Sequence, residues 1–185
     1  MQFIYRLEER ILGPISRLID GAFITTLARF TFLATLATFF WTSGKTKLGD
    51  GIAGIFNPSI GAYAQILPKQ MEAVGFDTTQ LPGWSKIVVM LGTWGEFIIP
   101  ALIVVGLFTR AASLAMIGFI IVMSIVDITG HGADALTIGR WFDNVPDAKI
   151  IDQRLIWTVM LLILVVRGGG PLSLDALLNR RSKTE

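Results

Sequence analysis

The sequence predicts an all-α integral membrane protein: a four-helix bundle with an amphipathic N-terminal helix and two long outer loops. Four apolar runs, each near the ~20 residues that cross a bilayer core, lie along one chain and hold only a charge or two apiece. Of the 185 residues, 52% are hydrophobic and 16% charged, where a soluble domain carries about a quarter charged residues. Mean hydropathy is +0.63. The expected organisation is an interfacial helix at 1–21, the bundle at 22–167 and a tail with a short capped helix at 168–185.

In residues 1–20, Phe3, Ile4, Leu7, Ile11, Ile15 and Leu18 share one side, and Arg6, Glu8, Glu9, Arg10 and Arg17 lie elsewhere. That pattern predicts a helix lying in the membrane interface, broken at Gly13-Pro14. Glu8 and Glu9 come too early for a secretory signal peptide.

The first apolar run, 22–41, holds Arg29; the second, 87–108, holds Glu96; the third, 111–128, holds Asp127. The fourth, 150–166, opens with Asp152 and Arg154, so its first turn is expected at the water boundary. Thr31, Thr35, Thr38 and Thr42 recur at helical spacing and predict a packing face on the first span. The loops 42–86 and 129–149 are long enough to have a purpose, and both read as covers over the outer face of the bundle. The first is expected to hold a short amphipathic helix at 68–75, led by Ile60, Tyr63, Ile66 and Leu67; the second carries Arg140-Trp141-Phe142 and Asn144-Val145-Pro146. Gly168-Gly169-Gly170-Pro171 ends the fourth helix, after which Ser173 caps a short helix with Asp175 in its first turn.

Four spans place both termini on one side. Arg6, Arg10, Arg17, Arg110, Arg167, Arg180, Arg181 and Lys183 then fall on short segments there, which predicts cytoplasmic termini. The net charge of +2 implies no nucleic-acid partner, because the basic residues sit at segment ends and form no single patch. The chain has no cysteine and one histidine, His131. That composition excludes disulfides, a CxxC redox motif, Cys-bound zinc or iron–sulfur, and a bis-histidine haem from one chain.

Glu96 lies at the middle of its run, where a carboxylate costs at least ~2.5 kcal/mol and must be protonated, paired or wet. Pro100, four residues on, cannot donate to the Glu96 carbonyl, and Gly92 and Gly95 thin the helix for a close neighbour. Arg29 is the expected partner, in a structural ion pair, unless it snorkels to the interface. Trp94 is a candidate wall of the same pocket. Nearer the outer face, Ile120, Ser124, Asp127 and His131 share one helical side, with Arg154, Lys45 and Lys47 at that level. His131 supplies the chain's one imidazole, a side-chain type suited to proton exchange. The bland reading of this cluster is that charges gather at span ends because water is there. The catalytic candidates are therefore Glu96, His131 and Asp127; the ligand-binding candidates are Arg29, Trp94, Arg154 and Lys45. No metal is expected, since Glu96 is at mid-depth while Asp127 and His131 are near the surface.

Leu27-Ala28-Arg29-Phe30, Ser43-Gly44-Lys45, Gly95-Glu96, Gly106-Leu107-Phe108-Thr109-Arg110, His131 and Gly169-Gly170-Pro171-Leu172-Ser173-Leu174-Asp175 occur in that order. In these residues the chain resembles the DoxX family of small four-helix bacterial membrane proteins. The resemblance implies a bundle in a bacterial inner membrane and a link to quinol oxidation and thiosulfate:quinone oxidoreduction. The expected function is a membrane subunit of redox metabolism that interacts with a quinone or quinol and takes its electrons from a partner protein. A quinone is the expected cofactor. The alternative is a non-catalytic accessory or assembly subunit of a larger membrane complex. A small-solute transporter comes third, since no inverted repeat is visible. Whether the chain is itself an oxidoreductase is left open by its lack of a redox centre.

Overall fold

The computed structural model describes residues 2–19 and 21–181, and every regular element among them is helical. Helix α1 (Gln2–Ile19) runs on through Pro14 instead of breaking there. Its Leu7, Ile11 and Leu12 are about half exposed, as suits a helix lying on lipid. Lys183 and the rest of 182–185 lie outside the described residues.

Residues 22–47 contain no proline, and one rod passes from α2 (Ala22–Phe32) through a π-turn at Leu33–Ala37 into α3 (Thr38–Lys47). The extra residue of the π-turn shifts the inward face, which reads Ala28 and Phe32 before it, Leu36 and Ala37 within it, and Phe40, Gly44 and Lys47 after it. The threonine stripe does not pack: Thr31, Thr35, Thr38 and Thr42 all face outward. The Thr35 hydroxyl bonds back to the Thr31 carbonyl at 2.7 Å, which satisfies it without a neighbour.

The first outer loop folds into α4 (Ile60–Ile66) and α5 (Pro68–Ala73). The Ser59 hydroxyl caps α4 by accepting from the Ala62 N–H at 3.2 Å. Tyr63, Leu67 and Met71 bury themselves with Val89, fixing this cap on the start of α6 (Gly83–Val105). A turn leads into α7 (Thr109–Ile125), which continues through a second π-turn at Val126–Gly130. Then come α8 (Ala135–Ile138), α9 (Ile151–Arg167) and α10 (Leu174–Arg181).

The α6–α7 turn begins at Gly106, with φ of 71°. A Cβ there would lie 2.5 Å from Ser173 and 2.9 Å from Arg29, so glycine is required by space as well as by dihedral. Asp175 closes the same corner. Its carboxylate accepts the Phe108 and Thr109 N–H groups at 2.8 and 2.9 Å and the Thr109 hydroxyl at 2.8 Å, capping the N-terminus of α7. Burial pushes this carboxyl up, but the Thr109 and Phe108 hydrogen bonds and the Arg29 charge outweigh burial and hold it below the usual range.

Among the described residues, three helices are long and apolar enough to cross a membrane: Ala22–Lys47, Gly83–Val105 and Thr109–Gly130. Helix α9 is the fourth member of the bundle; its 17 residues rise about 26 Å and its first turn is polar. The bundle core is Phe32, Phe40, Ile103, Met116, Leu161 and Leu164, all fully buried. Phe30, Leu91, Ile98, Leu114, Val122, Ile156 and Val166 are more than half exposed around the outside. An apolar girdle of that extent belongs in lipid. Helix α7 packs on both α6 and α9, while the first span packs on α9 through α2 and on α6 through α3. Higher up, Phe39 of α3 still meets Trp157 of α9, and a cleft opens under the α4–α5 cap.

Candidate functional site

Side chains lean toward the N-terminus of their own helix. Helix α3 rises toward the loop end of the bundle and α6 descends from it, so Lys47 leans down and Glu96 leans up, and they meet. Lys47 Nζ lies 3.0 Å from both Oε1 and Oε2 of Glu96. It also donates to the Ser43 hydroxyl at 2.7 Å, and Ser43 donates to Glu96 Oε1 at 3.0 Å. The two charged side chains are only 5% and 6% exposed. Gly44 makes this possible: a Cβ there would fall 2.7 Å from the Phe97 ring, so only glycine lets α3 lie this close to α6. Glu96 is thus paired, as its mid-span position demanded, but by Lys47 and not by Arg29.

The second polar group is built by the π-turn of the third span. Asp127 accepts from Arg154 on α9, whose Nη1 also donates to the Ser124 hydroxyl at 2.7 Å. The Arg154 Nε–H is buried without a hydrogen-bond partner among the described residues. His131 follows the π-turn, and its Nε2 lies 3.0 Å from the Gln65 carbonyl of α4. A carbonyl only accepts, so Nε2 carries the proton in this bond and Nδ1 is the basic nitrogen.

The two groups line one cavity of about 590 Å³. Lys47, Ser43 and Glu96 stand on one side, Asp127, Arg154 and His131 on the other, and Gln65 and Ile66 roof it. Phe119 and Met123 are among its apolar walls, and lipid-facing Leu91 and Val122 edge it, so it opens sideways between α6 and α7. It is an apolar slot with charges at one end, reachable from the bilayer.

Four of the seven candidate residues from the sequence converge here: Glu96, His131, Asp127 and Arg154. Three do not. Arg29 lies at the opposite end, where its Nε donates to the Ile103 carbonyl at 3.1 Å, Nη1 to Gly169 and Leu172 at 3.1 and 2.9 Å, and Nη2 to Val104. It closes the C-terminus of α6 against the tail, because those last carbonyls have no helical donors of their own. Trp94 points away from the slot; its indole N–H donates to the Ile55 carbonyl at 2.8 Å and its ring packs edge-on against Phe56. Lys45 is exposed on the outside of α3. Lys47 was legible only as a charge at the outer level and Ser43 only as part of a motif, neither as a partner of Glu96, because the polar run Thr42-Ser43-Gly44-Lys45 reads as the exit of a span, whereas the helix continues to Lys47. The signal that could have found them is the buried register Phe40, Gly44, Lys47. Among the described residues, no group of three or more His, Asp or Glu is placed to hold a metal ion.

The DoxX family model matches residues 24–132, more than half of the chain, and the chain belongs to that family. The match takes in Ser43, Lys47, Glu96, Asp127 and His131 and stops short of α9, which brings Arg154. No curated protein and no solved structure matches the chain.

Proposed function

For this member of the DoxX family we propose a membrane subunit of redox metabolism that binds a quinone or quinol in the slot, with electrons supplied by a partner protein. The observation that carries this reading is the single slot, open to lipid, that joins the Lys47–Glu96 pair to the Asp127–Arg154 and His131 group. A flat, apolar, proton-exchanging ligand fits that chemistry: Phe119 and Met123 offer apolar walls, and Glu96 and His131 Nδ1 places for protons.

A bound quinone supplies the two-electron, two-proton chemistry that this chain lacks. The chain's own residues hold and move the protons. Lys47 and Ser43 keep Glu96 oriented toward the slot, and Arg154 holds Asp127 beside it. His131, at the roof, is the group placed to exchange protons with water. The same reading puts the protein in a bacterial inner membrane with cytoplasmic termini, on the basic residues Arg110, Arg167 and Arg180 at the terminal end.

One observation favours the accessory reading. Leu136, Trp141 and Phe142 in the second outer loop are 86%, 57% and 104% exposed, an apolar tip that a protein partner could cover. Native mass spectrometry of protein extracted in mild detergent separates the two. Retained quinone in the wild type, lost in Glu96→Gln, supports the slot. A stoichiometric protein partner without quinone, released by Trp141→Ser, supports the accessory role.

A further inference from the structure

At the terminal end of the bundle, away from the slot, lies a second cavity of about 590 Å³. Arg110, in the first turn of α7, and Arg167, the last residue of α9, both line it. Between them runs the backbone of Gly168, Gly169 and Gly170, two of which have positive φ, at 79° and 74°. A Cβ on Gly168 would sit 3.5 Å from Arg110 Nε, so the guanidinium lies directly against this turn. Arg110 has no hydrogen-bond or ion-pair partner among the described residues. The acidic residue of the lining, Asp175, is fully engaged by Phe108 and Thr109.

An apolar groove of about 520 Å³ adjoins this cavity, and Leu107 and Leu178 line both. The groove adds Leu174 and Leu177 of α10, each at least 40% exposed, with Arg180 at its edge. The level is fixed by the helices: Gly106–Phe108 joins two membrane-crossing helices, so the pair of cavities lies at the bilayer surface.

We propose that these two cavities form a binding site for an anionic phospholipid, with the phosphate between Arg110 and Arg167 and an acyl chain along the leucines of α10. Two guanidiniums around a glycine turn suit a phosphodiester, which accepts from forked donors and from a closely approaching backbone. The groove supplies what a free phosphate does not need. Filled, the site ties α7, α9 and α10 together at the membrane surface. It is independent of any ligand in the slot, so the two proposals fail separately.

The test uses the full-length protein, delipidated in mild detergent and titrated with phosphatidylglycerol or with phosphatidylcholine of the same chains, read by native mass spectrometry and thermal shift. The expected result is at least about tenfold preference for phosphatidylglycerol, the scale set by two basic residues near a membrane surface. Arg110→Gln with Arg167→Gln should abolish the preference. Arg110→Gln alone, at an exposed position that leaves the fold intact, should reduce it by about half on a logarithmic scale. Lys45→Gln with Lys69→Gln, at the other end, should leave it unchanged. Equal binding of the two lipids overturns the proposal. So does a preference that survives the arginine changes, or one that follows the lysines. If inorganic phosphate alone reproduces the whole stabilisation, the ligand is a free anion and the lipid assignment is wrong.

Discussion

Lys47 Nζ lies 3.0 Å from both carboxylate oxygens of Glu96, with each side chain about 95% buried between the first and second spans. An ion pair so far from water holds only while both partners are present. Lys47→Met should therefore destabilise the bundle by about 3–5 kcal/mol, because it strands a buried carboxylate. Adding Glu96→Gln should recover most of that loss, whereas Lys45→Met on the outer face should change stability by less than about 0.5 kcal/mol. Thermal unfolding of the single and double variants in detergent measures the coupling. Equal losses at Lys45 and Lys47 would contradict the pairing.

Arg29 serves four carbonyls, those of Ile103, Val104, Gly169 and Leu172, with one planar fork. Arg29→Gln should cost about 2–4 kcal/mol through buried acceptors left unmatched. Arg29→Lys should restore less than half of it, since a single ammonium cannot span acceptors on α6 and on the tail. Full rescue by lysine would show that charge alone matters at this corner.

The contrast between these two residues shows how far the sequence reached. The four spans were visible as apolar runs, and Glu96 and Asp127 stood out as charges within them; the shared level of Asp127 and Arg154 was legible too, and the structure pairs them. Glu96 demanded a partner from its depth alone. Its choice between Arg29 and Lys47 turned on two features that hydropathy does not carry. One is that α3 continues beyond Trp41 to Lys47, held against Phe97 by Gly44. The other is the opposed lean of side chains on antiparallel helices, which separates Arg29 from Glu96 and closes the gap to Lys47. Trp94 failed for a similar reason: two residues from Glu96 on a helix is a different face, and that face meets Ile55 and Phe56.

Asp175 sets an acid limit. Its folded carboxyl titrates below the usual range, so the unfolded chain takes up the proton first as pH falls. The stabilisation is present above the unfolded pKa, about 4, and is lost as pH drops through the lower folded value. Asp175→Asn should flatten that acid limb and leave the shape of the curve between pH 6 and pH 8, as approximate bounds, unchanged. Unfolding midpoints measured across the acid range decide it; an unaltered slope in the variant would remove Asp175 from the explanation.

His131 ties the roof to the third span through the Gln65 carbonyl. Releasing that bond with His131→Ala should raise amide exchange in α4 and α5, which depend on a small core of their own. Exchange in the middle of α6 and α7 should stay as in the wild type. Uniform acceleration across all helices would instead mean that His131 supports the whole bundle.

The slot itself can be closed without disturbing its charges. Gly118 lines it, and a Cβ added there would meet no heavy atom within 4 Å. Gly118→Leu therefore extends into open space, and removing a mid-helix glycine gains about 0.5–1 kcal/mol of helix stability. The variant should be at least as heat-stable as the wild type, while binding of a short-chain quinone falls by about tenfold or more. Gly44→Ala is the opposite case: its Cβ would meet the Phe97 ring at 2.7 Å, so it should lower stability by strain at the α3–α6 contact. Stability and binding thus move apart in one variant and fall together in the other. If Gly118→Leu binds quinone as the wild type does, the ligand does not occupy the slot, and Glu96 and Lys47 revert to a structural pair.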